Sequence, residues 1–205
     1  MNLTYIIFRS IRKAGLILNT KISNIVSYIL LRGNNVKYGK ALRSNGIPFI
    51  DVWNGGFFQI GRNFTMNNGT SYNVIGRQQK CIFVVHHNAK LIIGDNVGMS
   101  STAITCTKSI NIGNNVKIGG NCVFYDTDFH SLDFNYRIDP VMDKANIKQA
   151  PISIGENVFI GAHSTILKGV TIGKNSIIGA ASLVAKSIPE NQIWAGNPAK
   201  FIRQI

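Results

Sequence analysis

The sequence predicts an all-β fold in which short parallel strands wind into a coil, and the evidence is a repeat of six residues. Near the end of the chain six aliphatic residues follow one another at this spacing without a slip: Ile154, Ile160, Ile166, Ile172, Ile178 and Val184. A period of six is neither the 3.6 of a helix nor the simple alternation of a strand. A strand of about five residues followed by a corner gives that length, and three such sides make one coil of about eighteen residues. Stacked coils then bury a continuous aliphatic column.

Glycine and asparagine recur at fixed places in the same frame. Glycine directly follows four of the aliphatic residues, at Gly155, Gly161, Gly173 and Gly179, and asparagine comes three positions after the aliphatic at Asn157 and Asn175. Earlier copies of the frame are Ile60-Gly61, Ile93-Gly94, Ile112-Gly113 and Ile118-Gly119. Glycine suits a corner with no room for a side chain, and asparagine tolerates the left-handed backbone that a corner demands. Both positions therefore predict the corners of the coil.

The repeat is interrupted in three places. Between Tyr125 and Pro151 it gives way to a polar stretch, here called the long loop (residues 126–151), and long excursions from a repetitive scaffold are usually functional. Between Ile104 and Ile110 one residue too many predicts a bulge at a corner. In residues 34–90 the pattern is irregular and predicts only partial coils.

Residues 1–33 differ from the rest and predict an amphipathic helical segment, as one or two helices ending near Gly33. The repeat domain is expected to occupy residues 34–205. Two interpretations of the segment stay open: it packs against the domain, or residues 1–32 contact an anionic membrane surface. The apolar run from Ala14 to Leu31 is broken by polar residues, among them Asn19, Lys21 and Asn24, so we expect it not to span a bilayer. The first residues carry no basic n-region before the apolar stretch, and no small-residue cleavage site follows it, so we do not expect a signal peptide.

Charge and cysteine content narrow the class of protein. The net charge is +13, which favours anionic partners, but five of the nine acidic residues lie between positions 126 and 143. An acidic cluster in a basic chain predicts a site and argues against a uniform nucleic-acid surface. Three cysteines without a CxxC pair make a disulfide framework improbable and predict a reducing compartment. We therefore expect a cytoplasmic protein, with contact at the inner membrane face as the alternative that the N-terminal segment offers.

With these residues the chain resembles the hexapeptide-repeat acyltransferases, whose fold is the left-handed parallel β-helix. The resemblance covers about residues 55–205 and is strongest from Ile152 onward. The ending Ala195-Gly196-Asn197-Pro198-Ala199-Lys200 is similar to the tail of maltose, galactoside and capsular-polysaccharide sugar O-acetyltransferases. The resemblance implies a homotrimer with sites at subunit boundaries, and a short C-terminal tail or helix over about residues 189–205.

The segment Tyr125–Asp133 resembles the catalytic loop of that family and implies that His130 is the general base. A sugar hydroxyl is a weak nucleophile, and an imidazole can take its proton and return it to the leaving thiolate. Asp126, Asp128 and Asp133 are candidates to orient the imidazole or to bind the acceptor. Where galactoside-type enzymes place an asparagine, this chain reads Met99-Ser100-Ser101, and Ser101 becomes a candidate acceptor contact.

The resemblance also implies acetyl-coenzyme A as the co-substrate and no metal. The expected coenzyme A contacts fall in the late coils and the tail: Phe159, Gly161, Ala162, Gly179, Ala180, Ala185, Lys186, Lys200 and Arg203. Small residues leave room for the narrow pantetheine arm, and the cations suit the nucleotide phosphates.

The predicted function is acetyl transfer from acetyl-coenzyme A to a sugar hydroxyl, in the assembly of a surface polysaccharide. The acceptor is then a sugar or glycan precursor, and nucleic acid is not an expected partner. Alternatives within acyl transfer are acetylation of an antibiotic, of serine or of the amine of an amino sugar. Outside it, a zinc-dependent carbonic anhydrase needs three converging histidines, and an inactive scaffold needs none. His163 falls within the repeat and is interpreted as structural or as lining the groove between subunits, and His86-His87 is interpreted as an exposed strand end.

Overall fold

A computed structural model describes residues 2–73, 75 and 79–205, and in it the chain forms a three-sided prism of parallel β-sheets. Sheet A contains β1 (Lys37–Tyr38), β4 (Phe57–Ile60), β7 (Lys90–Ile93), β10 (Ser109–Ile112), β13 (Ile152–Ile154) and β16 (Thr171–Ile172). Sheet B contains β2 (Arg43–Asn45), β5 (Thr65–Asn67), β8 (Gly98–Ser100), β11 (Lys117–Ile118), β14 (Phe159–Ile160), β17 (Ile177–Ile178), β19 (Gln192–Ala195) and β20 (Lys200–Gln204). Sheet C contains β3 (Phe49–Val52), β6 (Ile82–Val85), β9 (Ala103–Cys106), β12 (Val123–Tyr125), β15 (Thr165–Leu167) and β18 (Leu183–Val184).

The strand register reproduces the predicted coil. Ile160 pairs with Ile178, and Ile166 pairs with Val184, so each residue lies beside the one eighteen positions later. All four side chains are buried, as are their counterparts on the other strands, and together they form one core along the axis of the prism. The prediction of a left-handed parallel β-helix with an N-terminal helix is confirmed.

The corners between sheets A and B show why asparagine recurs. Six asparagines there have a left-handed backbone, with φ between 56° and 62°: Asn63, Asn96, Asn115, Asn157, Asn175 and Asn191. Each side chain donates to the next at 2.8–3.0 Å, which makes a continuous ladder along the corner. The glycine before them is dictated by stacking, since a Cβ on Gly155 would lie 2.6 Å from the backbone nitrogen of Lys174 in the next coil. Both residue types therefore follow from the corner geometry.

Two irregular regions differ from the regular coils. Residues 34–73 and 79–90, where the pattern predicted only partial coils, form strands that stack in register with the later ones. The extra residue near Ile104 is absorbed in the turn after β9, and Ile93 pairs with Ile112, nineteen positions later. The carboxylate of Asp126 holds that turn by accepting bonds from its backbone.

The N-terminal segment is a single helix, α1 (Leu3–Gly33), which Asn2 caps at its start. Only Ser23, Ser27 and Leu31 of the helix are buried, so its second half packs on the first coil while the rest is exposed. By length and composition alone this helix is long and apolar enough to cross a membrane. The expectation that its polar residues keep it from spanning a bilayer stays a prediction, because length and composition alone do not decide it.

The C-terminal tail is a β-hairpin. β19 joins sheet B in parallel with β17, and β20 returns antiparallel along β19. No helix forms between residues 189 and 205, so that alternative for the tail was wrong. The cysteines Cys81, Cys106 and Cys122 are free and buried, and burial raises the pKa of the Cys122 thiol to about 11, which keeps it protonated at neutral pH.

Candidate active site

The long loop leaves the prism at the corner between sheets C and A. Its two ends run side by side: Thr127 bridges Gln149 in antiparallel fashion, and the Ala150 N–H donates to the Asp126 carbonyl. Between these ends lie two short helices, α2 (Phe134–Arg137) and α3 (Pro140–Ala145). The loop is therefore anchored at its base and ordered by its own helices further out.

His130 lies in this loop and contacts a carboxylate on α3. Its Nδ1 lies 2.7 Å from Oδ2 of Asp143, and its side chain is 68% exposed whereas that of Asp143 is only 14% exposed. The other carboxylate oxygen of Asp143 accepts the Ser131 N–H at 2.6 Å. These two contacts lower the pKa of Asp143 below its ordinary value, the bond from His130 being the larger cause. A carboxylate that stays ionised in this position accepts the Nδ1 proton of the imidazole and fixes the orientation of the ring.

The backbone around His130 is held by further contacts. Arg137 donates from Nη1 to the Ser131 carbonyl at 2.8 Å, and Ser131 itself is buried. Phe129 adopts a left-handed backbone with φ of 63° and packs edge-on against Tyr125, their ring centroids 5.2 Å apart. A non-glycine residue in that conformation is uncommon and often marks a functional segment.

Asp143 is the residue that the sequence analysis missed, because it was noted only as one member of the acidic cluster. A signal for it was present: Asp139-Pro140 is a helix start, with Asp139 accepting the Val141 and Met142 N–H groups. A helix beginning there puts Asp143 in the first turn.

The three acids proposed as partners of His130 contact other groups. Asp126 is fully buried and accepts four bonds at 2.7–2.9 Å from the turn after β9, one of them from the hydroxyl of Thr107. Asp128 forms an ion pair with Lys168 at 2.8 Å. Asp133 caps α2 by accepting the Asn135 N–H. In the described structure these carboxylates organise the loop and its base, and the contact with His130 falls to Asp143.

Ser101 lies at a corner between sheets B and C and is buried. Its Oγ accepts a bond from Asn73 at 2.8 Å, and its carbonyl accepts one from Gln79. Its hydroxyl therefore joins the corner to the loop that precedes β6.

The small residues expected to form a coenzyme A groove stack along the corner between sheets B and C. A Cβ on Gly161 would lie 2.5 Å from the backbone nitrogen of Ala180, and one on Gly179 would lie 2.7 Å from the Cβ of Ala195. Close stacking alone therefore requires these two glycines. Ala162 is half-buried and Ala180 exposed, so this corner presents a surface with little side-chain bulk.

Two further groups of predicted contacts lie near pockets. Ala185, Lys186 and Lys200 line a pocket of about 410 Å³ together with Trp194 and Phe201. Phe159 is half exposed and lines a smaller groove of about 230 Å³ on sheet B. Arg203 is exposed on β20. The pocket thus combines two cations with two aromatic rings, a set that can hold an anionic, partly aromatic ligand.

Within one chain these groups do not converge. His130 belongs to the corner between sheets C and A, whereas Gly161, Ala162 and Ala180 belong to the corner between sheets B and C. The long loop also exposes large apolar side chains away from its own prism, namely Leu132, Phe134, Ile138 and Val141.

The other histidines lie apart from the long loop. His163 has a left-handed backbone at a corner and contacts Asn121. His86 and His87 pack against Trp53, and burial lowers the pKa of His86. Within residues 2–73, 75 and 79–205, no three or more His, Cys, Asp or Glu side chains group in a way that could hold a metal ion.

Comparisons with known proteins agree with this architecture. The family model described as the hexapeptide repeat of succinyl-transferase matches residues 151–184. A provisionally named acetyltransferase of Staphylococcus aureus is 47% identical over a stretch covering 47% of this chain and 56% of that protein. One of Schizosaccharomyces pombe, also provisionally named, is 42% identical over 60% of this chain and 54% of that protein. The matched stretches span little more than half of these relatives.

Solved structures resemble the whole prism. A galactoside acetyltransferase in complex with coenzyme A superposes with a TM-score of 0.56 at 26% identity, covering 93% of this chain and 82% of that chain. A polySia-specific acetyltransferase matches with a TM-score of 0.53 at 21% identity, covering 82% and 70% of the two chains, and this likeness shows the fold alone. The repeat, the corners and these similarities agree: the chain carries a hexapeptide repeat and is similar to acetyltransferases built on this fold.

Proposed function

We propose that this protein transfers an acetyl group from acetyl-coenzyme A to a hydroxyl of a sugar, with His130 as the general base. The observation that carries the proposal is the contact between His130 Nδ1 and Asp143 Oδ2 at 2.7 Å, in the long loop of the prism. Since Nδ1 is occupied and the side chain is 68% exposed, Nε2 is left accessible to an acceptor.

The chemistry follows from that geometry. Nε2 of His130 accepts the hydroxyl proton as the acceptor oxygen attacks the thioester carbonyl carbon, so a C–O bond forms and the C–S bond breaks. The imidazolium then returns the proton to the departing thiolate. Asp143 stays ionised, as its lowered pKa indicates, and stabilises the imidazolium between these two steps. General-base help of this kind contributes about 10² to 10⁴ in rate.

The residues of the tail suit the nucleotide end of coenzyme A. The 410 Å³ pocket presents Lys186 and Lys200 to phosphates, and Trp194 and Phe201 to an adenine ring. The corner with Ala162 and Ala180 suits a narrow chain such as pantetheine. Coenzyme A is bound in the galactoside acetyltransferase structure, which supports the same ligand here.

We further propose that the complete site forms between copies of the chain, as a homotrimer. The support is that His130 and the small-residue corner lie at different corners of one prism, so a single copy cannot join them. The exposed apolar residues Leu132, Ile138 and Val141 give the long loop a surface that suits contact with a neighbouring copy.

A sugar of a surface polysaccharide is the acceptor that we favour. The galactoside acetyltransferase, which is 26% identical over most of this chain, is named for a sugar acceptor. This similarity supports a carbohydrate acceptor here. The alternative is transfer to the amine of an amino sugar, which uses the same base. A panel of acceptors must distinguish transfer to a hydroxyl from transfer to an amine.

The test is a His130→Ala variant assayed for thiol release with acetyl-coenzyme A and a panel of sugars and amino sugars. We expect turnover to fall by about a hundredfold or more, while calorimetric binding of acetyl-coenzyme A persists. His87→Ala is the matched control, because its ring is also exposed and bonds only the Asn54 carbonyl among the described contacts.

Three outcomes would contradict the proposal. If acetyl-coenzyme A does not bind the unmodified protein, the acyl donor is wrong. Unchanged turnover in His130→Ala would remove the assigned base. Turnover only with amino sugars would replace the hydroxyl acceptor by an amine.

A further inference from the structure

The face of α1 that packs on the prism is polar over most of its length, and only its last turn contributes a buried core residue, Leu31. This face carries Thr20, Ser23, Asn24 and Ser27, which follow one another at the spacing of one helix face. Ser23 and Ser27 are fully buried. In an ordinary surface helix the buried stripe is apolar. In α1 polar residues are buried instead, and this arrangement needs a physical explanation.

The polar face covers the open strand edge of the first coil. The side-chain oxygen of Asn24 accepts the Ser44 N–H at 2.8 Å, and the hydroxyl of Tyr28 donates to the Leu42 carbonyl at 3.0 Å. Just past the helix end, Asn34 accepts the Val52 N–H. The strands β2 and β3 are the outermost of their sheets, so without α1 their backbone groups would be unpaired. The helix thus caps the prism with polar side chains.

The opposite face of α1 is apolar and exposed. Ile11, Leu18, Ile22, Ile25 and Ile29 lie at spacings of seven, four, three and four, which places them in one stripe. All five are exposed, and Ile25 is 62% exposed. The stripe continues toward the N-terminus, where Ile7 and Phe8 are exposed as well. A patch of this kind on a soluble surface marks an interaction site.

The charges of the helix select the kind of partner. It carries Arg9, Arg12, Lys13, Lys21 and Arg32 and no acidic residue, in a chain of net charge +13. A second copy would bring five like charges against these five, whereas an anionic lipid surface complements them. Crossing the bilayer would require the Thr20–Ser27 face to leave the strand edge and enter hydrocarbon, where polar groups are costly.

We propose that α1 lies in the plane of an anionic membrane, with the stripe from Ile11 to Ile29 in the lipid and the prism held above it. The polar cap and the apolar stripe are opposite faces of one helix, so the same helix closes the β-helix and docks it. This inference does not depend on acetyl transfer, since it concerns a surface away from the long loop and is tested without substrate.

The test is co-sedimentation of the full-length protein with vesicles of phosphatidylcholine alone or of equimolar phosphatidylcholine and phosphatidylglycerol. We expect binding to the anionic vesicles that weakens as salt is raised. Ile25→Gln should weaken it about tenfold, because one apolar side chain is lost from the lipid. The matched control Ile205→Gln changes a residue of similar exposure, 56%, in the C-terminal tail and should leave binding unchanged.

A charge variant tests the second half of the inference. Replacing Arg9, Arg12 and Lys13 with glutamine should lower binding to anionic vesicles by about fivefold for each cation removed. The Thr4 N–H keeps its cap from Asn2 in that variant, and glutamine is a good helix former, so circular dichroism should show the helix retained.

Several results would overturn the proposal. These are absence of binding to the anionic vesicles, equal loss in Ile25→Gln and Ile205→Gln, and self-association in ultracentrifugation that Ile25→Gln abolishes while vesicle binding persists. Resistance of the bound protein to alkaline carbonate would show a spanning helix instead of an interfacial one. Loss of acetyl transfer without loss of vesicle binding leaves this inference standing, so the two proposals fail separately.

Discussion

The stacked coils and the long loop of this protein are stabilised in different ways. Each coil repeats the contacts of the one before: parallel backbone ladders, an inward aliphatic such as Ile160, and a corner asparagine such as Asn157. The long loop has no repeat, and bonds of Asp139, Asp143 and Arg137 to nearby backbone N–H groups or carbonyls give it its shape. The difference means that stability should depend on the coils and catalysis on a few side chains of the loop.

The largest expected effect on stability comes from a cavity in the core. Ile160 is fully buried between the coils, so Ile160→Ala should lower the free energy of unfolding by about 2–5 kcal/mol. In the loop, Lys144→Ala removes an exposed side chain outside the proposed subunit contact and should cost less than about 0.5 kcal/mol. Denaturant unfolding at one protein concentration measures both. Equal losses would mean that the loop contributes to the folded core as much as the coils do.

For Asp143 we expect a large effect on catalysis and a small effect on stability. Asp143→Asn should reduce kcat by about tenfold to a hundredfold, since the imidazole loses the carboxylate that orients it. Binding of acetyl-coenzyme A should persist in this variant, because Asp143 lies on the long loop and away from the pocket lined by Lys186 and Lys200. Asp133→Asn is the control, as asparagine also caps a helix. A similar loss in both variants would reduce Asp143 to a structural residue.

Stability adds a second readout for the same carboxylate. The pKa of Asp143 is lowered in the folded protein, so its contribution is present above the unfolded pKa and is lost as the pH falls through the folded value. The difference in stability between the unmodified protein and Asp143→Asn should therefore shrink in acid. The contribution should be small at every pH, since the His130 partner is largely exposed.

The regular coils could be predicted from the sequence better than the contacts within the long loop. The late coils and their corners were predictable because Ile154 to Val184 keep one period and because asparagine marks left-handed corners. The earlier coils were predicted only in part, because their spacing is irregular: Ile60 pairs with Ile93, thirty-three positions later. Asp143, the partner of His130, was missed because the contact depends on how the long loop folds. The polar buried face of α1 was missed because an amphipathic helix is expected to bury its apolar side.

Asp126 lies where the stacked coils meet the long loop, and a variant at this position tests which of the two regions it belongs to. Although it opens the long loop, its buried carboxylate holds the turn before β10. Asp126→Asn puts an amide donor where the carboxylate accepted backbone N–H groups, and should cost about 1–3 kcal/mol of unfolding free energy. Asp128→Asn, which loses an ion pair with Lys168 at 2.8 Å, should cost less than that. If Asp126→Asn lowers kcat but leaves the free energy of unfolding unchanged, Asp126 acts in catalysis and does not stabilise the turn.

The smallest expected effect tests whether asparagine is needed at the corners for its backbone or for its side chain. Asn157 has φ of 59°, and its side chain joins those of Asn115 and Asn175 at 3.0 Å. Asn157→Ala loses the side-chain bonds and strains the left-handed backbone, at a cost of about 1–2 kcal/mol. Asn157→Gly loses the same bonds without the strain, so thermal unfolding should place it nearer the unmodified protein. If the two variants unfold at the same temperature, the ladder of side chains and not the corner conformation explains why asparagine recurs.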